Sequence, residues 1–271
     1  MAETRFWEQT FQEIKWEQLE LAGVGCFSQV VKVGDTGLVV KKATPHPIVE
    51  DLQPIEKLIY ERIGHHPFIL RYYGDHHSQE HKGLLSGLVF EYLPGGLLSD
   101  NLALSHYPKQ RAEWPIQITE ALRHIHSKCV IHGDLGCHNI LIQQNGSIAL
   151  ADFGGSAIDG SAAKVGYATR YQRPQSLSET LGPATVKQEL FALGTVLFEI
   201  SIGTKLFPDA TSRDIRKRFE HRDYPDLSVV THPNVRRVIR KCWDSEYENA
   251  EEVLRDLSKW LNMYYLKPVA N

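Results

Sequence analysis

The stretch His132-Gly133-Asp134-Leu135-Gly136-Cys137-His138-Asn139-Ile140-Leu141, followed by Ala151-Asp152-Phe153-Gly154, is the part of the 271-residue chain that decides how the rest is read. An aspartate and an asparagine five positions apart bracket a tight loop between two apolar strand-like runs. Asp134 is able to accept a proton from a hydroxyl, and Asn139 to offer an oxygen to a divalent metal. Asp152 follows Asn139 by thirteen residues, again at the end of an apolar run. Its carboxylate is a second hard oxygen ligand of the kind magnesium takes. Asp-Phe-Gly alone is common by chance; both patterns together, at this spacing, are specific.

Upstream, Gly23-Val24-Gly25-Cys26-Phe27-Ser28-Gln29-Val30 places two glycines in a strand–turn–strand pattern. Glycines there let backbone amides approach a polyphosphate closely, although an ordinary glycine hairpin has the same signature. Lys41 ends the apolar run Leu38-Val39-Val40 and is able to reach the phosphates; Lys42 faces the other side of the strand. Glu56 lies on the helical stretch that follows and is able to hold Lys41 by an ion pair. Taken singly, the lysine also fits a surface strand and the glutamate a solvated helix face.

Working outward, residues 19–43 alternate as three strands joined by a glycine turn and a tight turn at Gly34-Asp35-Thr36-Gly37. Residues 48–63 have helical periodicity, with Ile55, Leu58, Ile59 and Ile63 on one stripe and Pro54 in or near the first turn. Two short strands flank a His-rich loop, and Pro94-Gly95-Gly96 breaks the pattern. Beyond it, helices are expected at 109–128, 187–203, 211–221, 233–244 and 249–263, with short strands at 129–134, 140–143 and 148–152. The chain is therefore β-rich first and α-rich afterwards, without repeats or low-complexity segments.

With 42% hydrophobic residues the chain suits a sizeable core, and its net charge of −3 implies no general attraction to nucleic acid or an anionic membrane. Four scattered cysteines without a Cys-x-x-Cys pair argue against a disulfide framework or zinc site and for a reducing, intracellular and cytoplasmic setting. The N-terminus is charged and has no signal-peptide core, and no apolar run is long enough to span a membrane. The histidines at 65, 66, 76, 77 and 81 lack an accompanying Cys or carboxylate set and read as a solvated loop; His124 and His126 do not share a helix face.

These motifs resemble the eukaryotic protein kinase family, from about Leu19 to Leu261. The resemblance implies one α+β, bilobal domain over 1–271, with a small β-rich N-lobe including the hinge (1–93) and a larger, mainly helical C-lobe (94–271). It implies ATP and Mg²⁺ as cofactors and a protein substrate. Gly23 and Gly25 would cover the phosphates, Lys41 and Glu56 would form the lysine–glutamate pair, and Asp134 would be the catalytic base. Asn139 and Asp152 would hold metal. Val30, Val39 and Leu141 would enclose adenine, and backbone groups of Glu91 and Leu93, beside a gatekeeper at Phe90, would bind its edge. Tyr60, Tyr72, Phe153 and His132 would stack as a spine. The serine/threonine class is the expected one, and the runs HGDLGCHN, DFGGSAIDG and KCWDSEYENAEEV look like divergent kinases of filamentous fungi. His132-Gly133-Asp134-Leu135 is also similar to the small atypical kinase of the KEOPS complex, which lacks so long a first lobe.

The chain departs from the family pattern in several places. Ser28 stands for the third glycine of the loop, and Val39 for a smaller alanine against adenine, which narrows the pocket. Gly133 stands for the arginine that pairs with a phosphorylated activation loop, which implies activity independent of such phosphorylation. Gly136 stands for the lysine near the γ-phosphate, with His138 as a partial substitute. Arg173-Pro174-Gln175 replaces Ala-Pro-Glu, and the partner arginine expected in 243–250 is missing too, so no buried charge is stranded. Glu189 replaces a shorter aspartate under the catalytic loop. Ser156, Ser161, Tyr167, Thr169 and Ser176 are candidate phosphorylation sites. Two other readings stay open: a pseudokinase acting as a binding or scaffold module, and a small-molecule phosphotransferase.

Overall fold

The computed structural model describes residues 7–25, 27–45, 50–78, 83–103, 107, 110–174 and 182–265, the last six of these by backbone only. Cys26, His81, Gln175 and Ser176 lie outside the described residues. The first lobe is a five-stranded antiparallel sheet: β1 (Leu19–Val24), β2 (Ser28–Val33), β3 (Leu38–Ala43), β4 (Tyr72–His76) and β5 (Gly87–Glu91), in spatial order β1-β2-β3-β5-β4. The β3–β5 register sets Val39 opposite Phe90 and Lys41 opposite Leu88. That register puts the lysine and the gatekeeper on neighbouring strands of one sheet.

A short helix α1 (Glu8–Glu13) was not foreseen from the sequence. Trp7, Phe11 and Ile14 pack with Val33, Leu38, Val40, Leu85 and Val89 as a small core of their own. Six residues do not sustain a helix alone; burial of the two large rings, worth roughly 1.5–3 kcal/mol each, holds it. His76 stands edge-on to Trp7 and Phe11, at 5.5 and 5.2 Å between ring centroids. It is part of this packing rather than of a solvated loop.

Helix α2 (Gln53–Ile63) begins five residues later than its apolar period suggests, with Pro54 in its first turn and Gly64 ending it at φ 65°. Its buried residues are Glu56, Ile59, Tyr60 and Ile63, while Leu58 is 46% exposed. Of the expected stripe, Ile59 and Ile63 are buried and Ile55 packs partly against the core; Glu56, paired with Lys41 of β3, takes the place of Leu58 on the inward face. This is the i, i+3, i+4, i+7 spacing, phased on an acidic residue.

The second lobe is helical: α3 (Trp114–Ser127), α4 (Val186–Ile202), α5 (Ser212–Glu220), α6 (Pro233–Trp243) and α7 (Ala250–Tyr265). Thr185 caps α4 by accepting from the Gln188 N–H, and Gln188 in turn accepts from the Thr185 N–H. Every residue from Gln188 to Ile200 is buried, so α4, mainly apolar apart from Gln188, Glu189, Thr195 and Glu199, forms the centre of the lobe. Short strand pairs β7 (Ile140–Ile142) with β8 (Ile148–Leu150), and β6 (Val130–Ile131) with β9 (Ala157–Ile158), lie at the lobe junction. Strand β9 has only two residues and no readable period. One continuous core runs from Val39 and Phe90 in the first lobe through Phe153 to α4 and α7. Among the described residues, no helix is long and apolar enough to cross a membrane.

Candidate active site

A cavity of about 340 Å³ lies between the lobes, lined by Gly25, Lys41, Glu56, Asp134, Asn139 and Asp152 among others. The turn after β1, strand β3, the first turn of α2, the loop after β6 and the positions just before β7 and just after β8 therefore deliver residues from six separate stretches to one place. Lys41 Nζ lies 2.8 and 2.7 Å from the two carboxylate oxygens of Glu56 and 2.8 Å from Asp152 Oδ1. Glu56 is 2% exposed and Asp152 52% exposed, so the ammonium bridges the interior to the open cleft. Gln53 adds a side-chain hydrogen bond to the Lys41 carbonyl, which ties the start of α2 to β3.

The electrostatics follow from this geometry. Burial alone would push the Lys41 ammonium down, but Glu56 and Asp152 outweigh it and hold the group well above the ordinary lysine range. Burial likewise pushes the Asp152 carboxyl up, and Lys41 more than reverses this, leaving it ionised below the usual carboxylate range. Asp152 sits at φ 64°, in the left-handed region. The strain is offset by the ion pair and by a hydrogen bond from the Gly154 N–H.

Across the cavity, Asn139 Nδ2 donates to the Asp134 carbonyl at 2.8 Å and to Asp134 Oδ2 at 3.1 Å. The amide nitrogen is thus spent on the loop, which leaves Oδ1 as the metal-binding atom of a residue that lines the same cavity as Asp152. An amide oxygen and a carboxylate oxygen are a donor set suited to magnesium. His138 Nε2 lies 3.4 Å from the other Asp134 oxygen.

The expected spine is a contiguous stack. His132 and Phe153 rings are 4.9 Å apart, Phe153 and Tyr60 5.1 Å, and Tyr60 and Tyr72 5.4 Å. His132 Nε2 is also 2.9 Å from the Ala151 carbonyl, which locks the loop to the strand before Asp152. Val39 and Phe90 are buried beside this stack, with Val30 and Leu141 packed partly against the same core.

The expected anchoring of the loop by Glu189 is present and more extensive than the sequence suggested. Glu189 is fully buried in α4 and accepts the Gly133 N–H at 3.1 Å, His126 Nε2 lies 2.7 Å away, and Tyr167 OH donates at 3.3 Å. Burial pushes its carboxyl up, but the His126 contact, the nearby His132 and the Gly133 N–H outweigh it and bring it below the usual carboxylate range. His126 and Tyr167 were missed as anchors because they meet Glu189 from 63 and 22 residues away, with no local period to signal it.

Gly133 sits at φ 79°, and a Cβ there would be 2.9 Å from Ala163 Cβ. The segment after Asp152 therefore packs directly where an arginine would begin. Arg173 Nε donates to Ser245 Oγ at 3.1 Å, joining the same two stretches that the missing ion pair would join. Of the candidate phosphorylation sites, Ser156 is buried and donates to the His132 carbonyl at 2.7 Å, and Tyr167 faces an anionic partner; both are structural hydroxyls. Among the described residues no group of three His, Cys, Asp or Glu is arranged to hold a metal ion by itself.

Comparison with known proteins settles the family. The profile of the protein kinase domain matches residues 16–261. The chain belongs to the protein kinase family. It is 29% identical over 248 residues to the serine/threonine-protein kinase Nek8 of Danio rerio, covering 83% of the chain and 33% of that protein. It is 31% identical over 158 residues to the probable serine/threonine-protein kinase glkA of Dictyostelium discoideum, 56% of the chain and 33% of that protein. Against Aurora kinase A-A of Xenopus laevis it is 32% identical over 157 residues, 56% of the chain and 37% of that protein. The chain thus spans about a third of the length of these relatives. As a protein kinase domain it has the bilobal α+β fold that its sequence led us to expect.

Proposed function

We propose that this kinase domain transfers the terminal phosphoryl group of Mg·ATP to a serine or threonine hydroxyl of a protein. The observation that carries this reading is the Lys41 ammonium held 2.7 Å from Glu56 and 2.8 Å from Asp152, across one cavity from Asp134 and Asn139. In the transfer, the acceptor hydroxyl gives its proton to Asp134 as its oxygen bonds to the terminal phosphorus, and the bond from that phosphorus to the ADP oxygen breaks. Lys41 orients the phosphates, and Gly23 and Gly25 bring backbone amides over them. Asn139 and Asp152 would hold magnesium, which supplies neutralisation of phosphate charge. Val30, Val39 and Leu141 would take the adenine, with the backbone of Glu91 and Leu93 at its edge.

The proposed organisation is one catalytic domain, with 1–93 as first lobe and hinge and 94–271 as second lobe, in an intracellular, cytoplasmic setting. The serine/threonine preference rests on the relatives, which are named as serine/threonine kinases. It is tested by hydrolysing the labelled product and separating phosphoserine, phosphothreonine and phosphotyrosine; label on tyrosine alone would overturn it. A melting shift with Mg·ATP but no transfer would favour a nucleotide-binding scaffold, and transfer only to small alcohols a small-molecule phosphotransferase.

A further inference from the structure

Gly136 has an ordinary extended backbone, with φ −174°, so nothing in its dihedral requires glycine. Space does. A Cβ at Gly136 would stand 2.5 Å from His138 Cε1, 2.6 Å from His138 Nδ1 and 2.8 Å from Tyr171 Cε2. Tyr171 cannot yield, because its hydroxyl is buried and donates to Glu199 at 2.6 Å, and the Cys137 N–H donates to it at 3.3 Å. Any side chain at 136 must therefore displace the His138 imidazole. That ring packs 5.6 Å from the Tyr171 ring and presents Nε2 at 3.4 Å from Asp134 Oδ1, on the wall of the interlobe cavity.

The placement is informative because of what else lines the cavity. Among its described lining residues, Asp51, Glu56, Asp134 and Asp152 are carboxylates, and Lys41 and His138 are the basic groups. Lys41 is already shared between two of the carboxylates. Beside the backbone amides of the glycine turn, His138 is the other basic side chain among the described lining residues placed to donate to a polyphosphate there. A hydroxyl that loses its proton to Asp134 while attacking phosphorus brings the terminal phosphoryl within a few ångströms of Asp134, and His138 faces the same point.

We propose that His138 is a catalytic residue of this kinase domain, donating a hydrogen bond from its imidazole to the terminal phosphoryl group of the nucleotide, and that Gly136 is glycine to seat the ring. The inference rests on the phosphotransfer reading above. It concerns binding as well as rate, because ADP lacks the group that His138 would contact.

Calorimetric titration with Mg·ATP and with Mg·ADP, in the absence of acceptor, tests it. His138→Ala should weaken Mg·ATP binding about tenfold, the usual effect of one such hydrogen bond, and leave Mg·ADP within about twofold. Gly136→Ala keeps the histidine but evicts the ring, and should give the same nucleotide-selective loss; His138→Gln, which retains a donor, should recover most of it. Should His138→Ala fail to fold, the other two variants carry the comparison. Unchanged ATP affinity in the folded variants, or an equal loss for both nucleotides, overturns the assignment while leaving the phosphotransfer reading intact. If the wild type binds neither nucleotide, the phosphotransfer reading itself falls, and this inference with it.

Discussion

Lys41 and Glu56, fifteen residues apart in the chain, form an ion pair of 2.7 Å in which the glutamate is buried and the ammonium opens onto the interlobe cavity. Lys41→Met removes the ammonium and leaves a buried carboxylate without its counter-ion. We expect transfer to fall about a hundredfold or more and stability to fall by about 3 kcal/mol, the latter read from urea unfolding. The double variant Lys41→Met, Glu56→Leu should regain most of the stability and none of the activity. Recovery of activity in the double variant would show that the pair is structural only.

Glu189 is the second buried carboxylate with a task. Glu189→Ala would strand the Gly133 N–H, His126 and the Tyr167 hydroxyl at once. Unfolding measurements should show a loss of about 3 kcal/mol, together with a marked loss of transfer because the loop bearing Asp134 is no longer held. Glu189→Asp keeps the charge but shortens the reach by one methylene, so it should fall between the two. Wild-type stability in Glu189→Ala would contradict the anchoring role.

The segment after Asp152 is held by contacts that need no phosphate: Tyr167 to Glu189, the Lys164 N–H to the Gly155 carbonyl at 2.8 Å, and Ala163 against Gly133. Phosphatase treatment should therefore leave activity within about twofold, a change too small to reflect a lost charge-assisted contact. Gly133→Arg, far from restoring regulation, should reduce activity, since its Cβ meets Ala163 and its φ of 79° disfavours any side chain. A large loss on dephosphorylation would refute this.

Stability should also respond to pH through His66. Its ring stacks on His124 at 4.6 Å and accepts the Phe68 N–H at Nδ1, 3.3 Å away. Burial, with His124, Arg123 and His65 adding to it, lowers its pKa from 6.5 to about 4. The folded state thus resists a proton that the unfolded state accepts. Stability from this group is full above pH 6.5 and is lost as pH falls toward 4. His66→Asn keeps an acceptor for the Phe68 N–H and cannot titrate. It should flatten the melting-temperature profile over that window, by an amount on the order of 1 kcal/mol once solvent screening is allowed for. An unchanged profile would remove His66 as its source.

Much of the fold and part of the site could be read in advance, for identifiable physical reasons. Lys41, Asp134, Asn139 and Asp152 each sit at the end of a short apolar run, so a strand period of two and a few neighbours betray them, and the structure brings all four to one cavity. Helix α4 was legible because a helix buried on all sides is mainly apolar, and Glu189 and Glu199 interrupt the run without hiding it. The inward face of α2 was legible only in part: Ile59 and Ile63 are buried as their period implies, but Glu56 stands on that face and Leu58 is exposed. His126, Tyr167 and Ser245 find partners 63, 22 and 72 residues away. No local pattern encodes such pairs; only the packed fold does. The helix α1 was missed although Trp7, Phe11 and Ile14 have the right spacing, since three residues are too few to distinguish a period from chance.

The central claim is phosphoryl transfer from Mg·ATP with Asp134 as base. Its most direct test is transfer of a radiolabelled terminal phosphate to a general protein acceptor by the wild type and by Asp134→Ala, both checked for folding by melting temperature. We expect labelled acceptor with the wild type and a loss of about a thousandfold in the variant. Equal incorporation by the two proteins, or none by a wild type that still binds Mg·ATP, would contradict the account.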